Sequence, residues 1–161
     1  MATELVRDLS LHSILRDEQR TLTEWTTTFQ LFVVALDPYT VESSVLLPTA
    51  TKLLHQYAES DCRTAFLMAC DADDARRFLG PLVNEVMVFT DPDRTAIRGL
   101  GIETLPALVH IDQSPAVAGV AEGWDPHQWR AVASNLSRVL GWSPPGPPSP
   151  DEPAPFAGTP V

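Results

Sequence analysis

Lysine is almost missing from this chain. Lys52 is the single one, and ten arginines supply the remaining basic charge. Against 21 acidic residues they leave a formal net charge of −10. So little positive charge gives no electrostatic footprint for nucleic acid or for an anionic membrane surface, both of which call for basic patches. Long apolar runs are also absent. None approaches the ~20 residues of a membrane span, and Glu4 and Asp8 stand where a signal sequence would be basic and then apolar. The expectation is a soluble, cytoplasmic protein with no nucleic-acid or membrane partner.

Cysteine is nearly as scarce. Cys62 and Cys70 bracket CRTAFLMAC, which reads as one strand. Eight residues of strand extend roughly 26 Å, whereas a disulfide needs Cα atoms within ~7 Å. The two cysteines are therefore expected as free, buried thiols in a reducing compartment. His12, His55, His110 and His127 show no ligand spacing with one another or with the cysteines, so no metal or cofactor is expected.

What is present suits one domain: 161 residues, 44% of them apolar and 20% charged. Residues 143–161 hold more than half of the fifteen prolines and read as an extended or disordered tail behind a domain of residues 1–142. Met1–Leu11 reads as a short helix or irregular lead-in. Leu15, Leu22 and Trp25, with charges between them, suggest a surface helix over Ile14–Thr27 capped by Ser13.

The most informative stretch follows. Leu31–Leu36 is a short apolar run without alternation, as in a fully buried strand. Asp37-Pro38 turns the chain, and Val45, Leu46, Leu53, Leu54 and Tyr57 recur at helical spacing around Pro48, which should kink that helix. Cys62–Cys70 is a second strand, parallel to the first by the crossover rule. Acidic Asp71, Asp73 and Asp74 open a helix that stops at Gly80-Pro81. A strand over Val83–Phe89, a helix from Asp91-Pro92-Asp93, a strand at Ala107–Ile111 after Leu105-Pro106 and a hairpin partner at Ala116–Glu122 come next. A last helix, from Asp125 or Pro126 to Leu140, carries Trp129, Val132, Ala133, Leu136, Val139 and Leu140 on one face, and Gly141 ends it.

This order resembles the thioredoxin-like superfamily, an α/β fold with a central mixed sheet flanked by helices. An αβ insertion over Asp71–Thr90 and the following stretch DPDRTAIRGLGIETLPALVHID are similar to its TlpA and peroxiredoxin-like branch. In thioredoxins the loop after the central strand carries Trp-Cys-x-x-Cys, with a helix proline five residues past the second cysteine. Counting back from Pro48 puts Tyr39, Thr40 and Ser43 at the tryptophan and the two cysteine positions. Val34 stands where the family has a buried acid. The peroxidatic pattern Pro-x-x-x-Thr-x-x-Cys is also unmet, since Pro38 is followed at those offsets by Glu42 and Val45. The resemblance further implies a cis bond at Leu105-Pro106, beside the redox loop.

Dithiol chemistry needs a thiolate at a helix N-terminus, which a hydroxyl cannot replace. The local reading of Thr40 is helix N-cap, with Glu42 and Ser43 in the first turn. A site without its cysteines and its acid argues against a dithiol oxidoreductase or peroxidase. It leaves a binding or assembly module that holds a protein or peptide partner through Tyr39, Thr40, Ser43, Leu105 and Pro106, the groove the resemblance implies. Within that reading the Pro-rich tail is a further contact, able to reach a partner on its own. Two other possibilities remain beside it: an oxidoreductase or redox-responsive protein using Cys62 or Cys70, and an enzyme or ligand carrier of a class not visible in the sequence. Arg94 and Arg98, four apart on one helix, suit a solvated face, with an anion or partner contact as the alternative.

Overall fold

The computed structural model describes residues 6–161. Seven strands form one mixed sheet: β1 (Ser10–Ser13), β2 (Glu18–Thr21), β3 (Gln30–Leu36), β4 (Cys62–Met68), β5 (Met87–Thr90), β7 (Ala107–Ile111) and β8 (Val117–Glu122). Their order across the sheet is β2-β1-β5-β4-β3-β7-β8. β3, β4 and β5 run parallel, while β7 is antiparallel to β3 and β8 to β7. Two further short strands, β6 (Thr104–Leu105) and β9 (Thr159–Pro160), pair with each other.

The apolar run of β3 is explained by burial on both faces. Phe32, Val34 and Leu36 enter one hydrophobic cluster, and Leu31, Val33 and Ala35 enter another. The first cluster is closed by α2 (Val41–Gln56) and α5 (Pro126–Leu140), through Leu46, Leu54, Trp129 and Leu136. The second takes Leu22 and Trp25 from α1 (Leu22–Trp25) and Ala96 and Ile97 from α4 (Thr95–Gly99). Each large side chain so buried contributes roughly 1.5–3 kcal/mol. α3 (Ala72–Leu79) is capped by Asp71 and runs into a 3-10 turn at Gly80–Asn84.

The structure departs from the sequence reading at five places. Ile14–Thr27 is no helix: β1 and β2 form a hairpin there, with Asp17 at its turn (φ 49°), and only Leu22–Trp25 is helical. The hairpin forms because β1 pairs with the otherwise open edge of β5 (His12 opposite Thr90, Ser13 opposite Phe89). Leu15, counted in the helical stripe, is exposed, and the cap of the short helix is Thr21 in a capping box with Glu24, not Ser13. Of the lead-in Met1–Leu11, residues 1–5 lie outside the described residues, residues 6–8 are helical, and Ser10 and Leu11 already belong to β1.

Val45 and Val139 are exposed, because α2 buries Ser43, Leu46, Ala50 and Leu54, and α5 buries Trp129, Val132, Ala133 and Leu136. The strand expected from Val83 starts only at Met87, since Pro81 and the 3-10 turn take up the preceding residues. Lastly, residues 143–161 run extended along the domain and return to it as β9. Arg130 holds this stretch through the carbonyls of Gly146 (2.7 Å) and Pro147 (3.4 Å) and an ion pair with Glu152. Trp124 donates its indole N–H to the Pro153 carbonyl at 2.8 Å and shares two backbone bonds with Phe156.

Candidate functional site

β3 delivers Asp37 to the C-terminal edge of the sheet, and α2 begins four residues later. Thr40 is the N-cap of α2: its hydroxyl accepts the Ser43 amide (3.4 Å) and donates to the Asp37 carbonyl (3.1 Å). Ser43 is buried and donates its own hydroxyl to that same carbonyl at 2.6 Å, with the two hydroxyl oxygens 2.8 Å apart. Both hydroxyls are thus committed to closing the first turn. Among the described residues, no histidine and no carboxylate hydrogen-bonds either hydroxyl. His110 lies inside the sheet against Gln30, with burial pushing its pKa down, and His12 pairs with Asp17.

The carboxylate of Asp37 is gripped from two sides. One oxygen accepts the Tyr39 amide (2.9 Å), and the other accepts the Arg94 guanidinium (2.9 Å). Arg94, expected on a solvated face, is therefore an anchor of this loop. The Tyr39 ring is exposed and points toward α3, where its hydroxyl donates to Asp74. That bond to a carboxylate, with smaller contributions from burial and negative charge, pushes the phenol up to about 12.

Both thiols are buried and free. Cys70 stands beside this same loop, and burial, followed by the charges of Asp74, Asp71 and Asp37, pushes it up to about 12. Burial also raises Cys62, which the neighbouring Ser60 hydroxyl only partly offsets. A reactive thiol needs the opposite surroundings, with positive charge that stabilises the thiolate.

Opposite Thr40, the Leu105-Pro106 bond is cis, with Thr104 and Leu105 forming β6. Glu122 on β8 holds this segment by accepting the amides of Glu103 (2.6 Å) and Thr104 (2.7 Å). Between the two sides runs a groove of about 210 Å³ lined by Thr40, Glu42, Leu105 and Pro106, and its remaining wall is Phe156–Thr159 of the chain's own tail. Of the five residues expected at the groove, Thr40, Leu105 and Pro106 meet there. Ser43 lies beneath the cap, and Tyr39 turns away to Asp74.

No protein-family model matches the chain, and no curated protein matches it in sequence. Its similarity lies in shape. A Chlorobium tepidum protein described as a thiol:disulfide interchange protein DsbE superposes with a TM-score of 0.67 at 19% identity, over 84% of this chain and 95% of that one. The chain has the thioredoxin-like fold. MTB DsbF, with a TM-score of 0.64 and 13% identity over 85% and 96% of the two chains, shares this thioredoxin-like architecture. So does the exposed lipoprotein thioredoxin Etrx1 of Streptococcus pneumoniae, at 0.62 and 12% over 83% and 99%.

Sequence reasoning did not place Asp37 and Arg94 in this site, and it did not foresee that the tail forms a wall of the groove. It also missed that Cys70 belongs beside the loop. A signal for Cys70 did exist: parallel pairing of β3 and β4 puts Leu36 opposite Met68, so the residues that follow each strand emerge side by side. The tail left none, because its docking is long-range and has no periodicity.

Proposed function

We propose that this is a non-redox thioredoxin-fold protein, a binding or assembly module that holds an extended protein segment at the groove between the α2 N-terminus and Leu105-Pro106. The single observation that carries the reading is the fate of the two dithiol positions. Thr40 and Ser43 share one backbone carbonyl as acceptor and close a helix turn, so they serve the shape of the loop. The groove itself keeps the parts that hold a strand by its backbone: the edge of β6, Pro106 and the wall at Thr40 and Glu42. Oxidoreductase chemistry through Cys62 or Cys70 is disfavoured on physical grounds, because both thiols are buried and held protonated. The net charge of −10 favours a protein partner over nucleic acid.

The experiment has two arms. In the first, the wild-type protein is assayed for insulin disulfide reduction beside a Thr40→Cys, Ser43→Cys variant. The wild type is expected to be inert and the variant to form an internal disulfide. Turnover by the wild type would overturn the non-redox reading. In the second, a photoreactive residue placed at Glu42 is expected to crosslink a discrete partner, while the same residue at the exposed His55 does not. Equal capture at both positions would remove the groove from the function.

A further inference from the structure

We infer that the tail Phe156–Val161 is a built-in occupant of the docking edge beside Leu105-Pro106, and that the partner is an extended segment reading aromatic-x-Gly that displaces it. This rests on the binding reading above and adds what the surface selects and how access to it is governed.

The tail lies on the domain through an isolated bridge at Phe156 and the short strand β9. Leu105 pairs with Thr159 and Thr104 with Pro160, the Val161 amide donates to the Glu103 carbonyl at 2.9 Å, and Phe156 and Trp124 exchange backbone bonds at 2.9 and 3.0 Å. These bonds sit on either side of Pro106, whose own carbonyl is taken by the Gly123 amide. Exposure alternates along the tail: Phe156 and Gly158 are half-buried, whereas Ala157 and Thr159 are exposed. Phe156 packs against the main hydrophobic cluster. Gly158, at φ +87°, crosses so closely that a Cβ there would stand 2.3 Å from the Leu105 carbonyl oxygen. Gly123 makes the same allowance from the domain side, since its Cβ would lie 2.6 Å from the Ala157 carbonyl oxygen. The surface therefore reads two inward positions, a large apolar ring and a glycine two residues later, and leaves the outward ones free.

The same geometry makes the occupant exchangeable. β9 is two residues long and both are exposed, so few groups hold it beyond backbone bonds that another strand could supply. Being tethered, the tail acts at an effective concentration of order mM, against which a partner in trans has to compete. Arg94 ties the tail to the loop, because it reaches both the Asp37 carboxylate and the Pro160 carbonyl.

The test uses the full chain with either Gly158→Val or Phe156→Ala, and a fluorescent peptide with blocked ends covering Ala154–Val161 as probe. Hydrogen exchange at the Phe156 and Val161 amides reports release of the tail, and amides of β3 report that the domain stays folded. Both variants are expected to lose protection at those two amides and to bind the peptide at least tenfold more tightly than wild type. A peptide with its phenylalanine exchanged for alanine should not bind. Equally tight binding by wild type and variants would overturn the inference and leave the groove reading standing. Released variants that bind nothing would overturn both. Variants that retain wild-type protection at Phe156 and Val161 would show that these contacts do not hold the tail, and would overturn the inference alone.

Discussion

Ser43→Ala separates a structural hydroxyl from a chemical one. The Ser43 side chain is 1% exposed, and its hydroxyl donates to the Asp37 carbonyl at 2.6 Å beside the Thr40 hydroxyl. Removing it does not orphan that carbonyl, which keeps the Thr40 hydroxyl at 3.1 Å and the Thr40 amide at 3.3 Å. The loss is therefore that of one ordinary hydrogen bond, about 1 kcal/mol. Thr40→Ala removes an N-cap and should cost ~1 kcal/mol as well. Both hydroxyls donate to the same carbonyl and their oxygens lie 2.8 Å apart, so the two changes are coupled and the double variant should depart from the sum by about 0.5–1 kcal/mol. Urea unfolding followed by the fluorescence of the four tryptophans measures this. With a slope of about 2 kcal/mol per M, each single change lowers the midpoint by ~0.5 M. A Ser43→Ala protein with an unchanged midpoint would refute the capping role and reopen a chemical one.

Two further predictions test the surroundings. Burial and the neighbouring carboxylates push the Cys70 thiol from its ordinary range up to about 12, so the folded state resists forming the thiolate. Its contribution to stability is fully present below pH 9 and is lost as pH rises from there toward 12. Urea midpoints between pH 8 and 10.5 should thus fall more steeply for wild type than for Cys70→Ala, and parallel profiles would contradict the assignment. Arg130→Ala removes the pair with Glu152 and the bonds to the Gly146 and Pro147 carbonyls. At about 1.5–3 kcal/mol for a hydrogen bond to a charged group, it should make residues 143–153 markedly more sensitive to limited proteolysis, and unchanged cleavage would count against this anchor.

The central unit was legible because its signals are local. The apolar run of β3, the turn at Asp37-Pro38, Pro48 within α2 and the caps at Thr40, Asp71 and Asp125 each act within a few residues. The Ile14–Thr27 helix failed because Leu15, Leu22 and Trp25 fit a helical stripe only by coincidence. The competing term was the open edge of β5, more than seventy residues away in the chain.

The chain's own residues determined that no dithiol could exist at the head of α2, since the cysteines stand only at 62 and 70. They also determined the order of elements from β3 to α5, which follows from periodicity and turn chemistry within short windows. Tertiary structure alone decided what surrounds that loop. Parallel strand pairing brought Cys70 among three carboxylates, Arg94 crossed to Asp37, and a proline-rich tail with no core of its own found one beside Leu105. The reason is physical. Such contacts draw their free energy from groups far apart in the chain, and neither partner carries a local mark of the other.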